Sequence, residues 1–314
     1  MPAVAIVVNG SLARVGGHFL MSCTDTAERY GWQAEVLVTD KAESGVAAAR
    51  GAALDGADIV VAAGGDGTVR SCAEGLAGTG VPLGIVPHGT ANLLARSLRI
   101  PSHPRAALAV ALDPDGTRGH PETSVPRAHP RSADRTIDLA VADGTPFTAM
   151  AGLGLDAAVV AGTRLKHQFG WFAYALSGAV HLAVPPAPFR IRLDDGEPVE
   201  RYARSVVVGN SGMLPGGFTL LPDARLEDGL LDVGVLAPHG PFGWTRVASR
   251  VLELSQHQDR MLERFQARKV EISTTSLLPR EVDGEVIEPG HQLTVTVAPK
   301  ALVVRVPSGA HGRD

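Results

Sequence analysis

The segment Asp58 to Ala63 reads as a buried strand and runs without a break into Gly64-Gly65-Asp66-Gly67-Thr68-Val69, after which Ser71 to Leu76 has helical character. A strand, a glycine-rich loop and a helix in that order form a cradle for an anion. The glycines let backbone N–H groups come close, and the helix N-terminus adds partial positive charge. The loop has no lysine, the chain contains no Gly-Lys pair, and the glycine spacing is not GxGxxG, so neither a Walker A loop nor a dinucleotide fingerprint is present. Asp66 at its centre would repel a bare phosphate, yet it suits a loop where magnesium bridges phosphate oxygens. The competing reading is a plain glycine turn with Asp as turn former.

Context favours the cradle. Val4 to Asn9, Ala34 to Thr39 and Asp58 to Ala63 read as strands, alternating with helical stretches over Gly16 to Tyr30 and Ala42 to Leu54. This βαβ rhythm implies a parallel sheet with helices on its faces, and ligands of such sheets bind at the carboxyl ends of the strands. Asn9-Gly10-Ser11 occupies one such end. A second loop, Pro87-His88-Gly89-Thr90-Ala91-Asn92, follows the apolar stretch Val81 to Val86 and precedes a helix over Leu93 to Leu98. Thr90 and Asn92 are also the residue types that cap a helix. Two such loops after successive strands point to a nucleotide polyphosphate.

The rest of the chain has a different texture. Between Asp113 and Arg135, four prolines among Gly, Ser, His and Arg read as a linker or solvated insertion. Beyond it come short alternating segments: Thr136 to Val141, Phe147 to Ala151, Phe189 to Leu193, Ser205 to Val208, Leu231 to Leu236, Val270 to Ser273 and Leu293 to Val297. Strands at this spacing imply an antiparallel sandwich, interrupted by helical stretches near Leu165 to Leu182 and Gly243 to Arg264. With 314 residues and 45% hydrophobic content, each of two domains can bury a core. The net charge of −4 argues against general nucleic-acid binding. Cys23 and Cys72 are too few for a disulfide framework or a four-ligand zinc site and read as small core residues. No apolar run reaches membrane-spanning length, and Met1 to Asn9 lacks the features of a signal peptide.

The paired loops resemble the signatures of the diacylglycerol kinase catalytic-domain family, the lipid kinases that include bacterial diacylglycerol kinases and the sphingosine and ceramide kinases. The similarity continues through Gly152-Leu153-Gly154-Leu155-Asp156, through Pro222-Asp223-Ala224 with Asp228-Gly229-Leu230-Leu231-Asp232, and through Asp283-Gly284-Glu285. It implies a two-domain fold, α/β plus all-β. A Rossmann-like α/β nucleotide domain over 1–130 would be completed by a C-terminal strand over 301–306, and an antiparallel β-sandwich acceptor domain would span 135–298.

By the same resemblance, Asn9, Thr39, Gly64, Gly65, Asp66, Gly67, Thr68, Gly89, Thr90 and Asn92 would bind ATP in a cleft between the domains. Asp283 would be the general base, assisted by Glu285. Asp228, with backbone oxygens of Arg225 and Leu230, would hold a structural magnesium, and a catalytic magnesium would lie near Asp66. Read from the residues alone, Asp283-Gly284 and Asp228-Gly229 are also ordinary turn signals. The sequence departs from the family at Asn9-Gly10-Ser11, where the first strand usually ends in Asn-Pro with a following Ser-Gly, and at Arg70-Ser71 and Leu93, where many members have Asn-Glu and an acidic residue.

The implied reaction is transfer of the γ-phosphoryl group of ATP to diacylglycerol, giving phosphatidic acid, with Mg²⁺ as cofactor. Other acceptors within reach of such a fold are a sphingoid base, ceramide or NAD, and a non-catalytic regulator is the remaining alternative. A soluble enzyme of this kind would be cytoplasmic and visit the inner face of the membrane, with a homodimer among the assemblies it allows and no nucleic-acid partner. Phe169, Trp171, Phe172 and Tyr174, beside Arg164 and Lys166, suit an interfacial element or equally a core helix. Trp244 to Val270 carries three more basic than acidic residues, which suits anionic lipid or a solvated helix face.

Overall fold

The structure, a computed structural model, describes residues 1–10, 17–39, 45–113, 131–154, 185–214, 219–238, 243 and 261–309. The chain divides into two compact units, Met1–Ile137 with Lys300–Asp314, and Asp138–Pro299.

In the first unit, β1 (Ala3–Asn9), β2 (Gln33–Thr39), β3 (Ile59–Gly64) and β4 (Leu83–Pro87) form a parallel sheet in the order β4-β3-β1-β2. The registers run Val8 beside Val38 and Ala63, and Gly64 beside Pro87. Every residue of β3 is buried, which is why its sequence is one continuous apolar run rather than an alternation. Helices α1 (Gly17–Arg29), α2 (Gly45–Leu54), α3 (Asp66–Leu76), α4 (Leu93–Ser97) and α5 (Pro104–Leu112) connect the strands. In α3 the buried residues Val69, Cys72, Ala73 and Leu76 fall on one helical face. Pro104 opens α5, where its missing N–H costs nothing.

The second unit is antiparallel. It contains β6 (Thr145–Phe147), β7 (Met150–Leu153), β8 (Ala187–Leu193), β9 (Val199–Ala203), β10 (Ser205–Gly209), β11 (Leu231–Leu236), β12 (Leu262–Ala267) and β13 (Lys269–Val282). Strand β5 (Ser132–Ala142) leads into it, and β14 (Glu285–Pro307) leaves it. The pairing runs β12-β11-β10-β7-β13-β14, with β8 on β13 and β9 on β8. Phe147, Phe189, Val206, Val233, Ile272, Leu293 and Val295 lie in one buried cluster. Burial of each such side chain contributes roughly 1.5–3 kcal/mol. Lys300, at φ 52°, marks where β14 returns to the first unit, and its Val304 pairs in parallel with Leu83.

Several expectations are corrected. Helix α3 begins at Asp66, inside the glycine loop, not at Ser71. The polar segment Ser132 to Arg135 is the start of a strand. It is held by an Arg305–Asp134 ion pair at 2.7 Å, so it needs no apolar alternation. Phe147 to Ala151 is two strands, broken at Thr148-Ala149. The helix expected to reach Arg264 does not: Leu262–Ala267 is a strand antiparallel to β11, with Arg201 paired to Glu263 at 2.9 Å. Among the described basic residues there, Arg264 donates to the Leu220 carbonyl and Lys269 pairs with Glu271. Residues 114–130, the aromatic run with Trp171 and the segment 244–260 lie outside the described residues, as do Ser11 and Asp156. No described helix is long and apolar enough to cross a membrane.

Candidate functional site

In the first unit the expected nucleotide residues converge at one edge of the parallel sheet. Asn9 and Thr39 are register partners at the carboxyl ends of β1 and β2, and Gly64 ends β3 beside Pro87 at the end of β4. Thr39 donates its hydroxyl to the Val8 carbonyl at 3.3 Å. Thr68 lies over Gly64, where any side chain would meet its hydroxyl. The two glycine loops touch backbone to backbone, for a Cβ built on Gly89 would stand 2.6 Å from the Cα of Gly65. Only glycine at 89 permits that approach.

Asp66 ties the loops together. Its Oδ2 accepts the Asn92 backbone N–H at 2.8 Å and its Oδ1 accepts that of Leu93 at 2.6 Å. These are donors at the start of α4, so the cap of that helix comes from Asp66. Asn92 does not cap α4 with its side chain. It sits at φ 49° and turns back, accepting from Gly89 N at 2.9 Å and donating to Gly89 O at 2.7 Å. Thr90 lies in the same loop.

In the second unit, Asp283-Gly284 is the two-residue turn between β13 and β14, with Val282 opposite Glu285 and φ of 50° and 79°. Positive φ at both positions is what such hairpins demand, so the turn reading is correct. The same turn aims the Asp283 carboxylate at the break between β6 and β7. Oδ2 accepts the Thr148 backbone N–H at 2.9 Å and its hydroxyl at 3.2 Å, and Oδ1 accepts Ala149 N at 2.8 Å and Met150 N at 3.1 Å. The Asp283 N–H donates to Met150 O at 2.7 Å. Glu285 is the exposed first residue of β14.

Arg225, Asp228 and Leu230 lie in the loop before β11. Asp228 Oδ1 accepts Leu230 N at 3.0 Å, and Asp138 Oδ2 accepts Gly229 N at 2.7 Å. Burial raises the pKa of the Asp228 carboxyl, with Asp138 adding repulsion. Burial pushes Asp232 up to about 7, against a hydrogen bond from Gln266 and with repulsion from Asp228 and Asp223. The Asp232 Oδ2 is buried and has no hydrogen-bond partner among the described residues. Among the described residues no group of three or more His, Cys, Asp or Glu side chains is placed to hold an ion. One carboxylate with two backbone carbonyls, near the carboxyls of Asp138 and Asp232, is nevertheless a donor set that fits a hard oxygen-seeking cation such as magnesium.

Sequence reading missed Asp138, Thr148 and Asn210, which adjoin these groups. Asp138 had a signal, a lone carboxylate within the apolar run Ile137 to Val141. Asn210 had only its place after a buried strand.

A parallel α/β unit with paired glycine loops at its strand ends, together with an antiparallel β unit, is a phosphotransferase architecture. Residues 3–119 match the diacylglycerol kinase catalytic domain, and residues 149–306 match the YegS C-terminal NAD kinase beta sandwich-like domain. The Pseudomonas aeruginosa (strain UCBPP-PA14) protein named probable lipid kinase YegS-like is 35% identical over 256 residues, which cover 80% of this chain and 77% of that one. A protein of the same name from Stenotrophomonas maltophilia (strain K279a) is 30% identical, covering 98% and 97%. The crystal structure of a candidate diacylglycerol kinase from Bacillus anthracis str. Sterne superposes with a TM-score of 0.76 at 22% identity, covering 98% and 96%. The chain belongs to the diacylglycerol kinase catalytic-domain family of lipid kinases.

Proposed function

We propose that this lipid kinase transfers the γ-phosphoryl group of ATP to the hydroxyl of diacylglycerol, giving phosphatidic acid and ADP. The observation that carries the reading is the Asp66 link between the two glycine loops, which holds both loops and the start of α3 at one edge of the sheet, the placement a polyphosphate requires. Asn9, Thr39, Gly64 to Thr68, Gly89, Thr90 and Asn92 are the residues that would bind ATP. Asp283 takes the proton of the lipid hydroxyl as its oxygen attacks the γ-phosphorus in line and ADP leaves, with Glu285 assisting. Arg225 O, Asp228 and Leu230 O would hold a structural magnesium ion, and Asp66 would lie beside the phosphates, where a second ion would neutralise charge. The enzyme works as a visitor to a membrane surface, since its acceptor stays in the bilayer.

Labelled ATP offered with mixed micelles of diacylglycerol, ceramide or a sphingoid base, and separately with NAD, tests the reading. Label in phosphatidic acid supports it. Label only in another product moves the acceptor, and no label in any product points to a non-catalytic regulator.

A further inference from the structure

Asn210 is 1% exposed and directly follows β10, and its hydrogen bonds reach groups distant in sequence. Its Nδ2 donates to the carbonyls of Asp138 at 3.0 Å and Thr148 at 3.4 Å, and its backbone N–H donates to the Ala149 carbonyl at 2.9 Å. Ser211 N joins on the same Ala149 carbonyl at 3.2 Å. Each bonded carbonyl of the 148–149 segment shares a planar peptide unit with an N–H that grips Asp283. Thr148 C=O is rigidly joined to Ala149 N–H, and Ala149 C=O to Met150 N–H. Those two N–H groups are the donors to Asp283 Oδ1. Asn210 therefore holds one end of the two planes, and the carboxylate is held by the other.

The side-chain oxygen of Asn210 is buried and has no hydrogen-bond partner among the described residues. An unpaired buried acceptor is unfavourable, so what the side chain contributes at this position is its donor. Reversing the amide would set its oxygen against two carbonyls, which fixes the orientation.

We propose that Asn210 is a positioning residue for phosphoryl transfer, setting the Thr148–Met150 backbone so that its N–H groups aim Asp283. The proposal rests on the reading of Asp283 as proton acceptor. Because a peptide bonded on both sides is polarised, loss of the Asn210 Nδ2 donor frees the Thr148 carbonyl and weakens the grip of the Ala149 N–H on Oδ1, while the backbone bond to Ala149 O stays.

The test compares four full-length proteins, parent, Asn210→Ser, Asp283→Asn and the double variant, by initial rates with labelled ATP and diacylglycerol micelles. Rates are normalised to the folded fraction from circular dichroism. We expect Asn210→Ser to lower kcat about tenfold with KM for ATP within about twofold, and to leave the residual rate of Asp283→Asn unchanged. Equal losses in both backgrounds, or no loss in either, would overturn the proposal. If Asn210→Ser does not fold, Asn210→Ala replaces it, and failure of both to fold would assign Asn210 to the fold alone and overturn it as well. An Asp283→Asn protein as fast as the parent is a different failure. It removes the reading of Asp283 first, and the positioning role with it.

Discussion

The carboxylate of Asp66, the first residue of α3, caps the backbone N–H of Asn92 at 2.8 Å, although 26 residues separate them. One acidic side chain thereby fixes two helix starts. Asp66→Ala removes both this bond and the one to Leu93, leaving α4 without its cap. We expect a loss of about 1–2 kcal/mol in chemical denaturation, together with weaker ATP binding by calorimetry. Unchanged values for both would show that the loops are held by other contacts.

Gly89→Ala tests the close approach of the loops. The added methyl would lie 2.6 Å from Gly65 Cα and 2.9 Å from Asn92 Oδ1, so backbone must shift. The expected result is an ATP KM raised at least about tenfold, read by steady-state kinetics.

Thr148→Val removes one hydroxyl of similar size from the Asp283 carboxylate and leaves the three backbone donors in place. A net effect of about 1 kcal/mol on stability is expected, with kcat lowered several-fold and KM for ATP unchanged. Thermal melts and initial rates decide between this and a purely structural hydroxyl, which would leave kcat alone.

These contacts show where sequence reading stops. The buried run Ile59 to Ala63, the loop after it and the turn at Asp283-Gly284 are local, and residue type alone carries them. The Thr148 and Asn210 contacts with their partners span 61 or more residues, so no spacing rule displays them. The first residues of β12, Leu262 to Arg264, read as the end of a helix because the Arg and Glu residues there resemble a solvated helix face. Its pairing with β11 decides the outcome.

Magnesium is expected to raise the thermal midpoint of the parent and to have no effect on Asp228→Asn. A ligand that binds only the folded state stabilises it in proportion to its occupancy, and the variant removes the only charged donor of the proposed set. Equal shifts in both proteins would place the ion elsewhere.

Cys23 and Cys72 are buried, and burial pushes both thiols up to about 12. At pH 8 neither supplies thiolate, so iodoacetamide should leave the native chain unlabelled and modify both residues in denaturant. Labelling of the native protein at pH 8, read by mass spectrometry, would show that these helices open.

The most direct measurement is the rate of phosphatidic acid formation from diacylglycerol micelles and labelled ATP by the parent and by a folded Asp283→Ala protein. The expected result is label in phosphatidic acid for the parent and a rate lower by about 10²–10⁴ for the variant. Equal rates in the two proteins, or a parent that labels no lipid, would contradict the account.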